Sequence, residues 1–339
     1  MKALRQKTPD KSSLVLEEVP EPSPGPGEVK VKVMAAGICG TDVHGIASLK
    51  PPVTLGHEFS GVVVEVGEGV KGIQVGDRVT SETTVFHCGR CLYCLEGHFN
   101  LCPHRKGIGS AVDGAFAEYL VVPEHTVHLL PSFLSFEEGA VLEPLACAVH
   151  AVVEQAAVCR SEKVLVLGPG PLGILVAWVA TFTGAQVILA GKADDAERLR
   201  RAQKYPLDFT VDVDATDLGE FVTEHISPYG VDVVFECSGA PQAVHTGLRM
   251  LRKRGRFFQL GILHREVSLD FDEYLFAREL VLSGSRTQKK SSWEKALAII
   301  SEAHFPLEEL ITHRLPLFRW QEGFTLTQGK KAIKVVLRP

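Results

Sequence analysis

The chain has 339 residues, of which 45% are hydrophobic and 23% charged, and a formal net charge of −5. This length suits about two domains and a full-sized core. The acidic balance, with no long run of Lys and Arg, excludes a general attraction to nucleic acid or to an acidic membrane surface.

The opening residues, Met1-Lys-Ala-Leu-Arg-Gln-Lys, lack the apolar core of a signal peptide. The most apolar segment, 164–190, is broken by Gly168, Pro169, Gly170, Pro171 and Gly184, whereas a membrane span needs about 20 uninterrupted apolar residues. A cytoplasmic protein with no membrane and no nucleic-acid partner is expected.

Residues 1–35 alternate apolar and polar positions on either side of the Pro/Gly hinge at 20–27, the mark of β-structure with one solvated face. Short strands with glycine turns follow from Gly61 to Val79, and again at 115–122 and 127–130, which predicts a β-barrel or similar all-β body. From residue 163 the pattern changes. Strand-like runs at 163–167, 186–190, 209–211, 231–235, 256–260 and 280–282 alternate with helical stretches at 172–182, 193–204, 217–226, 241–252 and 272–278. That alternation predicts a parallel, doubly wound sheet. A helix over 292–303 then leads to strand-like ends at 311–317 and 332–338, which resemble the β-rich first part. The expected fold is therefore α/β plus β: a β-rich domain over 1–148, a doubly wound domain over 149–289, and a return to the first domain over 290–339.

The strongest local signal is Cys88-Gly-Arg-Cys91-Leu-Tyr-Cys94 followed by Cys102, four of the eight cysteines within the lobe 86–108. In a large chain without a secretion signal, such clustering favours metal over disulfides. Four thiolates at this spacing make a closed tetrahedral zinc site, whose role is structural. His87, His98 and His104 are read as bystanders.

The second signal is Gly168-Pro-Gly170-Pro-Leu172-Gly173, a G-x-G-x-x-G run between an apolar strand and an apolar helix. The first glycine turns the chain, the second lets backbone approach a pyrophosphate, and the third lets helix pack on strand. The helix N-terminus offers amide donors to the phosphates. The acidic residue expected about 20 positions later is replaced by Gly191 and then Lys192, which removes repulsion against a 2′-phosphate. Asp194 and Asp195 could still reach a ribose, so NAD and NADP both stand.

The third signal is dispersed: Cys39, His57, Glu58 and Glu143. A catalytic zinc takes about three protein ligands of these types and keeps a position open, but spacing alone does not show that they converge.

Together these motifs resemble the zinc-dependent medium-chain dehydrogenases, the alcohol and polyol dehydrogenase superfamily. The resemblance covers the whole chain and rests on Gly56-His57-Glu58 with Gly61, Gly67 and Val70, on Cys39-Gly-Thr-Asp-Val-His44, on the four-cysteine lobe, on Glu143-Pro144 and on the fingerprint, all in the family's order. It implies a GroES-like catalytic domain, a Rossmann domain and an active site in the cleft between them. It implies Cys39 and His57 as catalytic zinc ligands, Glu143 as the third ligand of the polyol and threonine dehydrogenase branch, and Glu58 as an adjacent carboxylate that ligates directly or by exchange with water. Thr41 and His44 match a proton relay. Cys237, Ser238, Leu260, Gly261, Ser283 and Gly284, at strand ends, are implied to line the cofactor. The implied activity is hydride transfer between a secondary alcohol, a polyol or sugar alcohol first, and NAD(P), in a homo-oligomer, dimer or tetramer. L-Threonine, 2,3-butanediol or a phosphorylated polyol are the alternative substrates, and a non-catalytic zinc- and cofactor-binding member is the alternative of a different class. Two departures stand out. Only 17 residues separate Cys39 from His57, and Tyr205-Pro-Leu-Asp208 replaces the usual Gly-Ala-Asp before the third Rossmann strand.

Overall fold

A computed structural model describes residues 1–45, 49–303 and 305–339. The chain divides into two compact units, Met1–Ala146 with Gln288–Pro339, and Cys147–Thr287.

Among the described residues of the first unit, the largest sheet has seven strands. Its centre is Glu28–Gly37, whose buried and exposed positions alternate over part of its length and which carries neighbours on both edges. It pairs antiparallel with Glu58–Val66 and with Lys334–Arg338. At its end, Gly37 faces Glu58 on one side and Val336 on the other. Three segments distant in sequence therefore meet at one sheet position, and Cys39 lies two residues beyond it. Val29, Val31, Val33, Phe59, Val63, Phe116, Leu120 and Leu337 fill the core beneath. Burying side chains of this size contributes about 1.5–3 kcal/mol each. The expected strand at 115–122 is realised as Tyr119–Pro123, with Ala117 making only an isolated bridge to Ala3.

Among the described residues of the second unit, six strands form one sheet in the order Phe209–Asp212, Gln186–Gly191, Lys163–Leu167, Val231–Glu236, Leu251–Gln259, Val281–Gly284. Every pairing is parallel. Numbered along the chain this is 3-2-1-4-5-6, the dinucleotide-binding order. It places the reversal of strand order between Lys163–Leu167 and Val231–Glu236, where Leu167 pairs with Glu236. Ligands of such sheets bind outside the carboxyl ends of the strands at that reversal.

Several expected boundaries differ, among them those of two helices. The helix read over 241–252 ends at Met250, because Leu251 already turns extended and begins a nine-residue strand against Val231–Glu236. The helix read over 272–278 is a π-turn, Asp272–Phe276. In both places pairing or packing in the sheet overrides local helical pattern.

Candidate metal centres and cofactor site

Cys39 precedes the short helix Gly40–His44, His57 precedes the strand Glu58–Val66, and Glu58 opens that strand. Their ligand atoms all lie within 4.8 Å of one another. Thiolate, imidazole and carboxylate are ligands that zinc takes at about 2.0–2.3 Å, so the donor set fits that ion.

Asp42, on the helix Gly40–His44, accepts the Cys39 backbone N–H at 2.9 Å, and its other oxygen stands 3.5 Å from His57 Nδ1. A carboxylate in this place orients a metal-ligating imidazole. Burial pulls the His57 imidazole down, but the charges of Asp42 and Cys39 outweigh it and leave the ring well above its ordinary value.

Glu58 is held by Lys334. The ammonium donates to both carboxylate oxygens, at 2.8 and 2.6 Å, and to the Ile38 carbonyl at 3.1 Å. Both side chains are buried, 2% and 1% exposed. Burial holds the Glu58 carboxyl above its ordinary value; Lys334 works against that, and the Glu143 charge adds to it.

Glu143, in the helix Leu142–Val149, is buried but stands outside the group of mutually close ligand atoms. Its Oε1 accepts from Thr83 Oγ1 at 2.9 Å and from Gln288 Nε2 at 3.1 Å. The structure thus joins Glu58, rather than Glu143, to Cys39 and His57. Thr41 and His44 share the helix Gly40–His44 one turn apart, with His44 exposed. Asp42, Lys334, Thr83 and Gln288 were not singled out from sequence. Asp42 lay inside the recognised run; the other three join elements whose approach only the sheet register determines.

Cys88, Cys91, Cys94 and Cys102 also come within 4.8 Å of one another. Cys91 precedes the short helix Leu92–Leu95, and the Cys94 sulfur lies 3.4 Å from that of Cys91 and 3.9 Å from that of Cys88. Backbone N–H groups at Arg90 and Cys91 lower the Cys88 thiol to about 6, while burial pushes Cys94 up to about 12. His87 Nδ1 is 3.7 Å from the Cys94 sulfur, and its ring stacks on Phe99. Four sulfurs at this spacing fit a closed zinc site.

In the second unit, Gly168 has φ +100°, and a Cβ there would come within 2.8 Å of the Ser238 Cβ. A Cβ on Gly173 would collide with the Gly168 carbonyl. Gly170, at the N-terminus of the helix Pro171–Phe182 that contains Leu172, faces open space within 4 Å. This is the division of labour a pyrophosphate cradle requires: a turn, an open approach and a close helix contact. Gly191 ends its strand against Pro169, and Lys192 beside it is exposed. Asp195 is buried and 3.3 Å from Arg198. Cys237, Ser238, Leu260, Gly261, Ser283 and Gly284 stand at or just beyond the carboxyl ends of their strands.

Two family models match the chain, the alcohol dehydrogenase GroES-like domain over residues 25–132 and the zinc-binding dehydrogenase over residues 171–302. A sorbitol dehydrogenase of Halalkalibacterium halodurans is 42% identical, with 100% of this chain and 99% of that protein covered. A D-arabitol-phosphate dehydrogenase of Enterococcus avium is 40% identical over 99% of this chain and 97% of that one. Among solved structures, a protein of Sinorhizobium meliloti 1021 described as a zinc-binding dehydrogenase, with NADP bound, superposes with a TM-score of 0.91 at 34% identity, covering 100% of this chain and 99% of the other. Among the described residues, no helix is long and apolar enough to cross a membrane. With both units matched and these relatives aligned along their full lengths, the chain belongs to the zinc-dependent alcohol dehydrogenase family, oxidoreductases that interconvert an alcohol and its carbonyl compound with NAD(P).

Proposed function

We propose that this enzyme oxidises a secondary alcohol of a polyol or sugar alcohol to the ketone, in the cytoplasm and as a homo-oligomer. The observation that carries the reading is the cluster of Cys39, His57 and Glu58 within 4.8 Å, in a chain that also has an open glycine cradle for a dinucleotide. In this reading residues 1–148 and 290–339 are the catalytic domain and 149–289 the cofactor domain.

Cys39, His57 and Glu58 hold the catalytic zinc, and Glu143, whose charge Glu58 already feels, is the neighbouring carboxylate able to exchange with it. When bound, zinc polarises the substrate oxygen and lowers its pKa, and the nicotinamide accepts the hydride. Asp42 keeps the His57 ring oriented. Thr41 accepts the hydroxyl proton and passes it to His44, whose exposure supports release to solvent. Cys88, Cys91, Cys94 and Cys102 hold a second zinc with no open position. The residues at 168–173, 191–192, 237–238, 260–261 and 283–284 bind the cofactor.

The polyol preference is supported by the sorbitol dehydrogenase relative, and a phosphorylated polyol by the arabitol-phosphate dehydrogenase relative. The test is a panel of polyols, polyol phosphates, 2,3-butanediol and L-threonine, followed by absorbance of the reduced cofactor. Turnover of a polyol or its phosphate above the others is expected; preferential turnover of threonine or of a simple diol overturns the substrate class.

A further inference from the structure

Glu236 is fully buried at the reversal of strand order, opposite Leu167. Its Oε1 accepts the Ser238 N–H at 2.7 Å, the Ser238 hydroxyl and the Gly239 N–H at 3.1 Å. Its Oε2 accepts the Gly239 N–H at 3.0 Å and the Gln259 amide at 2.6 Å. Its carbonyl accepts the Leu260 and Gly261 N–H groups at 2.9 and 2.8 Å. Through Gln259, which also donates to the Gly261 carbonyl at 2.7 Å, this one residue joins the turn 237–239 to the turn 259–261. The fit admits no extra atom: a Cβ on Gly261 would collide with the Gly239 nitrogen and lie 2.8 Å from Glu236 Oε2. The fingerprint turn is seated on the same group, since Gly168 closes against Ser238 and the Cys237 N–H donates to Leu167 at 2.9 Å.

Every hydrogen-bond partner of this carboxylate is a neutral donor. Among the described residues, no Lys, Arg or His forms an ion pair with it. A carboxylate met by neutral donors has no counter-ion beside it to cancel its field. The oxidised and reduced nicotinamide cofactors differ by one positive charge on the ring; their phosphates are the same.

We propose that Glu236 is a positioning residue for the dinucleotide loops and that its buried negative charge selects the oxidised cofactor over the reduced one. Repulsion of the pyrophosphate by Glu236 is common to both forms and cancels in the ratio of their dissociation constants. The charge on the nicotinamide does not cancel. The inference rests on the cofactor reading above.

Two variants remove the net charge by different routes. Glu236→Gln keeps the shape, and its carbonyl oxygen can retain the Ser238 and Gly239 donors; the Gln259 amide meets the new NH2 only by turning over, which gives up its bond to the Gly261 carbonyl. Gln259→Lys leaves Glu236 in place and sets a cation beside it. Wild type and both variants are titrated with NAD(P)+ and NAD(P)H by calorimetry and by nicotinamide fluorescence, with melting curves to show that each is folded. In both, the ratio of oxidised to reduced dissociation constants should rise on the order of tenfold, the scale of one unit charge felt through part of a protein interior. Glu236→Asp, which keeps the charge and shortens the reach, should weaken both forms and leave the ratio alone. A folded neutralised variant with the wild-type ratio overturns the proposal, as does an equal shift in the Asp variant. A wild-type chain that bound neither form would remove the cofactor reading itself.

Discussion

Replacing Lys334 by Met leaves the Glu58 carboxylate buried without its counter-charge. The wild-type pair is 2% and 1% exposed, and the ammonium makes three hydrogen bonds, two to Glu58 and one to Ile38. Water cannot replace that ammonium without opening the sheet position at which Gly37, Glu58 and Val336 meet. Breaking one partner of such a pair costs about 3–5 kcal/mol. For a unit of about 200 residues, each kcal/mol moves the melting temperature by about 2–4 °C, so the drop should be about 6–20 °C. Scanning calorimetry is run on zinc-loaded and on chelator-treated protein. The loss should be larger in the second, where the His57 ring is the one cation left beside Glu58 among the groups that act on it. The double variant Lys334→Met with Glu58→Gln should recover most of it, because a neutral pair removes the stranded charge as well as the attraction. A Lys334→Met protein that melts with the wild type, or a double variant that melts well below the single one, refutes the argument.

Cys39→Ser should lower turnover by on the order of a thousandfold or more while the melting curve stays near that of the wild type, and metal analysis should fall from about two zincs per chain to about one; full activity would sink the zinc assignment. Zinc loading of the four-cysteine lobe near neutral pH should release a proton from Cys94, pushed up to about 12, and little from Cys88, which is lowered to about 6 and already mostly thiolate. Calorimetry in buffers of different ionisation enthalpy reads that number, and a value of zero contradicts it. For Lys334, burial lowers the ammonium pKa but Glu58 raises it more, so the group sits above its ordinary 10.5. The stability it contributes is then fully present below that value and lost as pH rises through the raised one. An alkaline fall in melting temperature should therefore appear in the wild type and shrink in the Lys334→Met, Glu58→Gln double variant. Lys192→Ala should raise KM for NADP several-fold and leave KM for NAD nearly unchanged, since an exposed cation at the strand end meets only a 2′-phosphate; equal changes in both would refute a role in that choice.

What was legible in the sequence divides along the range of the interactions. The four cysteines lie within one lobe and the fingerprint within one turn, so their residues bring one another together, and composition and order suffice to read them. The alternation of strands and helices after residue 163 made the parallel sheet legible for the same local reason. The helix expected to run to residue 252 was not ended by any local breaker; Leu251 is taken into a strand by its pairing with Val231, which no window of sequence contains. The surroundings of the dispersed ligands were hidden in the same way. Lys334 stands 276 residues from Glu58, and Gln288 stands 145 from Glu143.

The register at Gly37 is the step that makes the dispersed site one object. Because Gly37 pairs with Glu58 on one edge and with Val336 on the other, Cys39, two residues on, and Lys334, two residues back from Val336, are delivered to the same end of the sheet. A Cβ at Gly37 would collide with the Glu58 carboxylate, so the position takes glycine because a buried carboxylate crosses it. Glu58 is thus fixed from three sides: by its place at the head of a strand, by Lys334 from the far end of the chain, and by the bare backbone of Gly37. That rigidity is what a metal ligand set needs to hold its geometry, since ligands are positioned by the groups behind them as much as by the ion. The residues that make a site of His57-Glu58, Cys39 and Lys334 among them, come from other segments of the chain.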